Sequence, residues 1–257
     1  MTFLSAVLLL ILTASTAMFF LWFVERLKRE ADIVDVAWAF LIGLSALIFA
    51  LISPGSETNR IIAGCLGGAW GLRLSLYLYK TRFLSPEEDG RYEELRKTWS
   101  GKSFFVFFQA QALFVVAFAL PYVAMTFSNK PIDIFTLFGI FLFLISLVGA
   151  SISDSQLHNF RKNLNNKGKV CDIGLWKYSR HPNYFFEWLH WIAYPLISFG
   201  SPYFLYTLHA APFMLFLILK ITGIPPTEAR SIASRGEAYK IYQKTTSAFF
   251  PWFPRKI

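Results

Sequence analysis

Long apolar runs alternate with short polar segments along the chain. Seven of these runs approach or exceed the roughly 20 apolar residues that a membrane-spanning helix needs. Helices suit a bilayer because they satisfy their own backbone hydrogen bonds. The pattern therefore predicts an all-α, polytopic membrane protein with seven transmembrane helices. The predicted spans are residues 3–24, 33–52, 60–79, 103–127, 134–153, 184–200 and 203–221.

The first apolar run does not have the features of a signal peptide. No basic segment precedes it, and charged residues follow it in place of a small-residue cleavage site. We therefore predict a retained first helix. Because 55% of the 257 residues are hydrophobic and no long linker interrupts them, we expect a single membrane domain over residues 1–257.

Basic residues are distributed unevenly between the two sides of the predicted membrane. Of the 25 Lys and Arg residues, 22 lie on one side, Arg60 and Lys130 lie on the other, and Arg73 lies inside a span. Basic loops are typical of the cytoplasmic side, so we predict an outside N-terminus and a cytoplasmic C-terminus. This arrangement accounts for the net charge of +9 without nucleic acid.

The long polar segments, 80–102, 154–183 and 222–257, also fall on the predicted cytoplasmic side. A water-soluble ligand is therefore expected to bind from the cytoplasm. The two cysteines, Cys65 and Cys171, are too few for a disulfide framework or a metal cluster. We predict no metal site.

The run from Gly174 to Trp188 leads a basic, polar loop directly into an apolar segment. Asn183 and Glu187 lie in the first turns of that segment. An ionisable group at membrane depth costs roughly 2.5 to 3.5 kcal/mol on insertion scales, and such groups commonly mark a functional site. The run is therefore the first candidate for a binding site.

Polar residues recur at helical spacing in three segments, and each set would lie on one face if its helix were continuous. Together the three stripes predict a polar ligand between helices. The stripes are Asp154, His158, Arg161 and Asn165; Asn183, Glu187, His190 or Trp191, and Tyr194; and Glu228, Arg235, Tyr239 and Tyr242.

Ordinary membrane-flanking roles are also open for these residues. Arg161 and Lys162 are typical of side chains that extend to lipid headgroups. Aromatic residues are typical of the membrane interface, and this alternative covers Tyr178, Trp188, Tyr239, Tyr242 and Trp252.

Two charged residues, Asp35 and Arg73, lie near or within predicted spans two and three. They either pair with each other as a structural lock or line a substrate cavity in which a polar side chain binds the reacting oxygen. Gln109 in span four is expected to join helices, and the small residues from Gly64 to Gly68 are expected to pack within the chain. We predict a monomer.

The run Gly-Leu-Trp-x-Tyr-Ser-Arg-His-Pro-Asn-Tyr-x-x-Glu-Trp and the tail Tyr239-x-x-Tyr242-x-x-x-Thr246-x-x-Phe-Phe-Pro carry a resemblance. Both are similar to the C-terminal half of steroid 5-alpha-reductase-type membrane enzymes, and more closely to their bacterial relatives, which implies an inner-membrane location. The resemblance covers roughly residues 130–257. It implies that 128–257 binds NADPH, that 1–127 forms the substrate side, and that a carbon–carbon double bond conjugated to a ketone is reduced.

The resemblance assigns Asp154, Arg161, Tyr178, Ser179, Asn183 and Glu187 to the cofactor. Basic groups select the 2′-phosphate of NADPH in other NADP sites, which adds Arg161, Lys162, Arg180 and Arg235 as candidates. No Gly-x-Gly-x-x-Gly occurs, so the cofactor is expected among helices. The complete predicted set is Asp154, His158, Arg161, Lys162, Tyr178, Ser179, Arg180, His181, Asn183, Glu187, Arg235, Tyr239 and Tyr242.

On the substrate side, the steroid enzymes place a Glu of span two and a Tyr of span three against the ketone. The comparable regions here contain Asp35, and Trp70 close to Arg73, which become the predicted catalytic residues. The Gln-Glu-Leu-Pro stretch of the steroid enzymes is absent. The expected substrate is therefore a hydrophobic, lipid-like molecule that enters from the membrane lipids.

A second resemblance competes with the first. Arg180-His-Pro-x-Tyr184 and Glu237-Ala-Tyr239-x-x-Tyr242 are similar to isoprenylcysteine carboxyl and phospholipid methyltransferases, which implies S-adenosylmethionine as the alternative ligand. Glu187-Trp188 and the Thr-x-x-Phe-Phe-Pro ending favour the reductase. A receptor or lipid-handling protein without chemistry is the third interpretation.

Overall fold

The computed structural model describes residues 1–84 and 90–255, and the side chain of Arg91 lies outside the description. The described residues form helices and short helical turns without strands, which confirms the predicted all-α class. The helices are α1 (Phe3–Lys28), α2 (Ile33–Ile52), α3 (Glu57–Leu78), α4 (Gly90–Thr98), α5 (Gly101–Thr126), α6 (Ile134–Lys162), α7 (Pro182–Ser198), α8 (Ala210–Phe216), α9 (Ile224–Arg235) and α10 (Glu237–Thr245).

Six helical stretches of the described chain are long and apolar enough to cross a membrane. They make the protein an integral, multi-pass membrane protein. The predicted sixth span corresponds to α7, which has 17 residues and is shorter than these six. The stretches are Phe3–Lys28, Ile33–Ile52, Glu57–Phe83, Gly101–Thr126, Ile134–Lys162 and Phe204–Arg235.

The chain divides into two compact units, of which the first contains Met1–Pro131 and Gly200–Thr207. In this unit α2 and α3 pack closely where small residues face each other. A Cβ atom on Gly71 would lie 2.6 Å from the Cα of Gly43, and one on Gly67 would lie 2.3 Å from the Cβ of Ala46. Such distances exclude any larger side chain. The predicted packing of the Gly64 to Gly68 segment within the chain is confirmed.

Helices α1 and α5 of the first unit are joined by polar contacts. The Ser15 hydroxyl donates a hydrogen bond of 2.7 Å to Oε1 of Gln109. Nearer the other end, the indole of Trp22 donates to the carbonyl of Gly101 at 3.1 Å. Gln109 therefore joins two helices, as the sequence predicts, because a polar side chain inside an apolar bundle must find a partner.

The second unit contains Ile132–Phe199 and Leu208–Ile257, and its frame is the pair α6 and α7. Glycines of α6 allow the two helices to approach. A Cβ atom on Gly149 would lie 2.4 Å from the Phe186 ring, and one on Gly139 would lie 2.6 Å from Ile197. Because the earlier residue of α6 meets the later residue of α7, the helices are antiparallel.

The C-terminal part of the second unit contains a sharp break. Helix α9 begins at Ile224, where Pro225 and Pro226 fill N-terminal positions that require no backbone N–H. It ends at Gly236, whose φ of +56° lies in the left-handed region. The predicted stripe from Glu228 to Tyr242 is therefore split between two helices.

Candidate functional site

The polar loop before α7 is fixed on α6 by hydrogen bonds. The side chain of Gln156 accepts a hydrogen bond from the backbone N–H of Leu175 at 2.9 Å. The indole of Trp176 donates to the carbonyl of Ser153 at 2.9 Å. Both acceptors belong to the C-terminal half of α6. Because two hydrogen bonds attach the loop to this one helix, the loop has a defined position before the start of α7.

Ser179 and Tyr242 stabilise the same loop from inside. The buried Ser179 hydroxyl donates to the carbonyl of Phe249 at 2.9 Å and accepts from the N–H of His181 at 3.1 Å. The phenol of Tyr242 donates to the carbonyl of Trp176, and burial raises its pKa. Both residues were predicted to bind a cofactor, and in the structure both bind backbone.

Glu228 lies at the centre of a polar network that joins the loop to the tail. Its Oε1 accepts from Nε of Arg180 at 2.6 Å and lies 3.3 Å from Nε2 of His181. The Tyr239 phenol reaches the same oxygen at 3.5 Å. Its Oε2 accepts from the Gln243 amide at 2.7 Å. Sequence reasoning placed Glu228 on the stripe with Tyr239 but did not name Glu228 or Gln243 as site residues.

Arg180 is committed to this network. Its guanidinium also donates to the carbonyls of Gln243 and Thr246, at 3.0 and 2.6 Å. Its backbone N–H donates to the carbonyl of Ser247 at 2.8 Å. The positive charge faces Glu228, so the contacts of Arg180 are those of a structural cation and do not favour the predicted contact with a 2′-phosphate.

His181 is buried beside the same carboxylate. Burial lowers the pKa of its imidazole, while the hydrogen bond to Glu228 acts in the opposite direction. The ring stacks parallel on Tyr184 with centroids 5.3 Å apart. With a lowered pKa the imidazole is neutral at pH 7, and its place in the packed network favours a structural role over the predicted cofactor contact.

The predicted membrane-interface role also fails for two aromatic residues of the tail. Tyr239 and Tyr242 are buried, and their phenols bind inside the second unit. Burial raises the pKa of Tyr239 to about 12. Trp252, by contrast, is 72% exposed, and the interface role stays a prediction for it. Tyr178 is partly exposed and meets Phe253 edge to face at 6.0 Å.

Asp154 and Asn183, which belong to two of the predicted stripes, meet across the α6–α7 interface. Nδ2 of Asn183 donates to Oδ1 of Asp154 at 3.2 Å. Oδ1 of Asn183 is buried, and no hydrogen bond to it is found within residues 1–84 and 90–255. A buried acceptor without a donor is unfavourable by about 1 to 3 kcal/mol. This oxygen therefore offers a binding position for an N–H or O–H group.

Further into α7, three polar side chains of the predicted stripe follow one another. Nε2 of His190 lies 3.7 Å from Oε2 of Glu187. Nδ1 of His190 lies 2.9 Å from the phenol oxygen of Tyr194. The structure thus selects His190, of the two alternatives His190 and Trp191, as the member of the stripe that contacts Glu187.

Basic side chains gather near the end of α6. His158, Arg161 and Lys162 are exposed on its last turns, whereas Asn165 lies in a short 3₁₀ turn and is not on α6. Arg235 donates from Nε to the carbonyl of Lys169 at 3.0 Å.

The charges of Arg161 and Arg235 act on one common group, the Cys171 thiol. Burial raises the pKa of this thiol, and both guanidinium groups act in the opposite direction. Arg161 and Arg235 therefore both lie within electrostatic range of Cys171, although they are 74 residues apart in the chain. Two guanidinium groups in one region favour an anion such as a phosphate.

In the first unit, the predicted catalytic residue Asp35 is held by two side chains that sequence reasoning did not name. Arg82 forms an ion pair with its Oδ2, and the phenol of Tyr92 donates to its Oδ1 at 2.9 Å. Both partners come from the polar segment after α3. No periodic pattern in that segment distinguishes them, so sequence alone offered no signal.

The other two predicted catalytic residues lie in α3. Trp70 is buried and meets Trp38 edge to face at 5.8 Å. The guanidinium of Arg73 lies 6.0 Å from the Tyr77 ring centroid. Trp38, one turn beyond Asp35, has a buried indole N–H with no hydrogen bond within the described ranges.

These helices and their polar residues define a multi-pass membrane protein with buried polar groups at the helix ends. A family model described as "Protein of unknown function (DUF1295)" matches residues 21–246, and the chain belongs to this family. No curated protein and no solved structure matches the chain.

Proposed function

We propose that the protein is a membrane-embedded, NADPH-dependent reductase that acts on a carbon–carbon double bond conjugated to a carbonyl in a lipid-like substrate. It would then be a steroid 5-alpha-reductase-like enzyme within the DUF1295 family. The observation that carries the proposal is the Asp154–Asn183 pair, which leaves the buried Oδ1 of Asn183 as an acceptor one turn before Glu187.

The donor set of the second unit fits a phosphorylated dinucleotide. Asn183 and Glu187 supply acceptors for the N–H and O–H groups of a nucleotide. Arg161 and Arg235 supply donors for a phosphate, and a basic group beside the adenosine ribose selects the 2′-phosphate. Arg180 is omitted from this set because Glu228 neutralises it.

Bound NADPH would supply the hydride that reaches the β-carbon of the enone. The chain has two tasks in that reaction. The second unit orients the cofactor through Asn183 and Glu187. The other task is to stabilise the negative charge that would develop on the substrate oxygen, and preorganised donors do this best. We assign this task to the donors of Trp70 and Arg73, and we keep Asp35, which Arg82 and Tyr92 hold, as the third catalytic residue.

We further propose that α7 crosses the membrane as a seventh span. Its 17 residues extend about 26 Å at 1.5 Å per residue, close to the roughly 30 Å of the hydrocarbon core. Seven crossings agree with an outside N-terminus and a cytoplasmic C-terminus. The cofactor site then faces the cytoplasm. We propose the bacterial inner membrane as the location and the monomer as the functional form.

Ligand-dependent thermal stability of the protein in mild detergent tests the proposal. A ligand that binds only the folded state raises the apparent melting temperature. We expect NADPH to raise it more than NADH does, and Glu187→Ala to abolish the rise. Stabilisation by S-adenosylmethionine with none by NADPH would replace the reductase with the methyltransferase alternative. A positive NADPH result leads directly to a screen of enone lipids for NADPH oxidation.

A further inference from the structure

We infer that His190 and Tyr194 are positioning residues that hold the Glu187 carboxylate ready for the cofactor. The inference deepens the proposed function and rests on it. It assigns a role to two buried polar side chains of α7 that lie further along the helix than the proposed cofactor contacts Asn183 and Glu187.

The geometry places the three side chains in sequence along one helix face. Glu187, at a side-chain exposure of 17%, is the accessible member. His190 is 2% exposed and Tyr194 is fully buried. Accessibility therefore decreases from the carboxylate to the phenol, and only Glu187 can contact a ligand in this packing. His190 and Tyr194 act through it.

Packing fixes the imidazole ring. The Phe143 ring of α6 meets the ring of His190 edge to face, with centroids 6.1 Å apart. The neighbouring Trp191 ring lies 4.4 Å away. A histidine held on two sides by aromatic rings has little rotamer freedom, so its two nitrogens keep constant directions, one towards Tyr194 and one towards Glu187.

The hydrogen-bond chemistry follows from these directions. When the Tyr194 phenol donates to Nδ1, the ring proton of a neutral imidazole is on Nε2, which lies 3.7 Å from Oε2 of Glu187. An imidazole whose tautomer is set by its second nitrogen partner is a common device for orienting a ligand group. At 3.7 Å from Oε2, Nε2 lies close enough to restrain the position of the Glu187 carboxylate. Glu187 is thereby kept in place for an N–H or O–H group of the nucleotide.

A double-mutant cycle on NADPH affinity tests this role. Tyr194→Phe removes the phenol at constant shape, and His190→Gln retains an N–H donor of similar reach. We expect Tyr194→Phe and His190→Phe to weaken NADPH binding by roughly 5- to 30-fold, within the range of coupled neighbours, and His190→Gln to restore part of the affinity. In a Glu187→Gln background, the Tyr194 and His190 substitutions should have no further effect.

The control is His209→Gln, a histidine of the second unit that lies outside the stripe, and it should leave the NADPH affinity unchanged. Equal losses in the presence and absence of the Glu187 carboxylate would overturn the inference, because a purely structural role is independent of that group. If His190→Phe does not fold, Tyr194→Phe decides. Failure of the wild-type protein to bind NADPH would reject the proposed function and, with it, the inference. Unchanged NADPH binding in the wild type and in all variants would reject the inference alone.

Discussion

Nε of Arg180 donates a hydrogen bond of 2.6 Å to Oε1 of Glu228, 48 residues later in the chain. The side chains of Arg180 and Glu228 are only 10% and 14% exposed. The pair therefore joins the loop before α7 to α9 inside the second unit. The adjoining Gln243 and Thr246 carbonyls accept from the same guanidinium, so the tail is held as well.

Removal of the Glu228 carboxylate should strongly destabilise the protein. Breaking a largely buried ion pair leaves an uncompensated charge, which costs on the order of 3 kcal/mol. We expect Glu228→Ala to lower the apparent melting temperature in detergent by several degrees. Glu237→Ala is the matched control, because its carboxylate is 68% exposed and pairs with Lys240 on the surface. Equal shifts for the two variants would contradict a structural role of Glu228.

The burial of His181 should make stability depend on pH. Its folded pKa is lowered from the ordinary value of 6.5, so below that pH the unfolded chain binds more protons than the folded protein. The stabilisation is complete above about pH 6.5 and is lost as the pH falls towards the folded pKa. Melting temperatures between pH 8 and 5 should therefore decline less in His181→Gln than in the wild type. An identical decline in both would show that other groups cause it.

Substitution of Asp35 should separate chemistry from cofactor binding. Asp35→Asn keeps the shape but removes the charge that Arg82 and Tyr92 contact. We expect the rate of enone-dependent NADPH oxidation to fall at least tenfold, while NADPH affinity changes less than twofold. Tyr92→Phe should lower the rate in the same direction. If Asp35→Asn only unfolds the protein, Asp35 is a structural residue of the first unit and the catalytic assignment is wrong.

The arginines near Cys171 should determine the nucleotide preference. A guanidinium that contacts the 2′-phosphate stabilises NADPH and has no such effect on NADH. We expect Arg161→Ala to lower the ratio of NADPH to NADH affinity by about tenfold, the effect of about 1.4 kcal/mol. Lys177→Ala, an exposed cation of the loop, is the control and should leave the ratio unchanged. An unaltered ratio in Arg161→Ala would transfer the role to Arg235 or Lys162.

Local sequence patterns were sufficient to predict where the long helices lie but not where a helix is interrupted. The apolar runs predicted the positions of α1, α2, α3, α5 and α6 closely, because the length of a spanning helix is a local property. The break at Gly236 was not predicted, since a helical period continues through the glycine in the sequence. That break separates Tyr239 from the helix of Glu228, and the two side chains meet only because the chain turns there.

The membrane class, the all-α architecture and the candidate motif before α7 follow from the amino-acid sequence alone. The contact of Asp154 with Asn183 was decided by the packing of α6 against α7. Only the tertiary structure decided the roles of individual charges. Arg180 pairs with Glu228, and Asp35 pairs with Arg82 and Tyr92, across 47 to 57 residues of chain. An ion pair depends on the distance between two groups in space. In a chain with many Lys and Arg residues, the sequence does not show which of them pairs with a given carboxylate, and only the packing of the helices decides it.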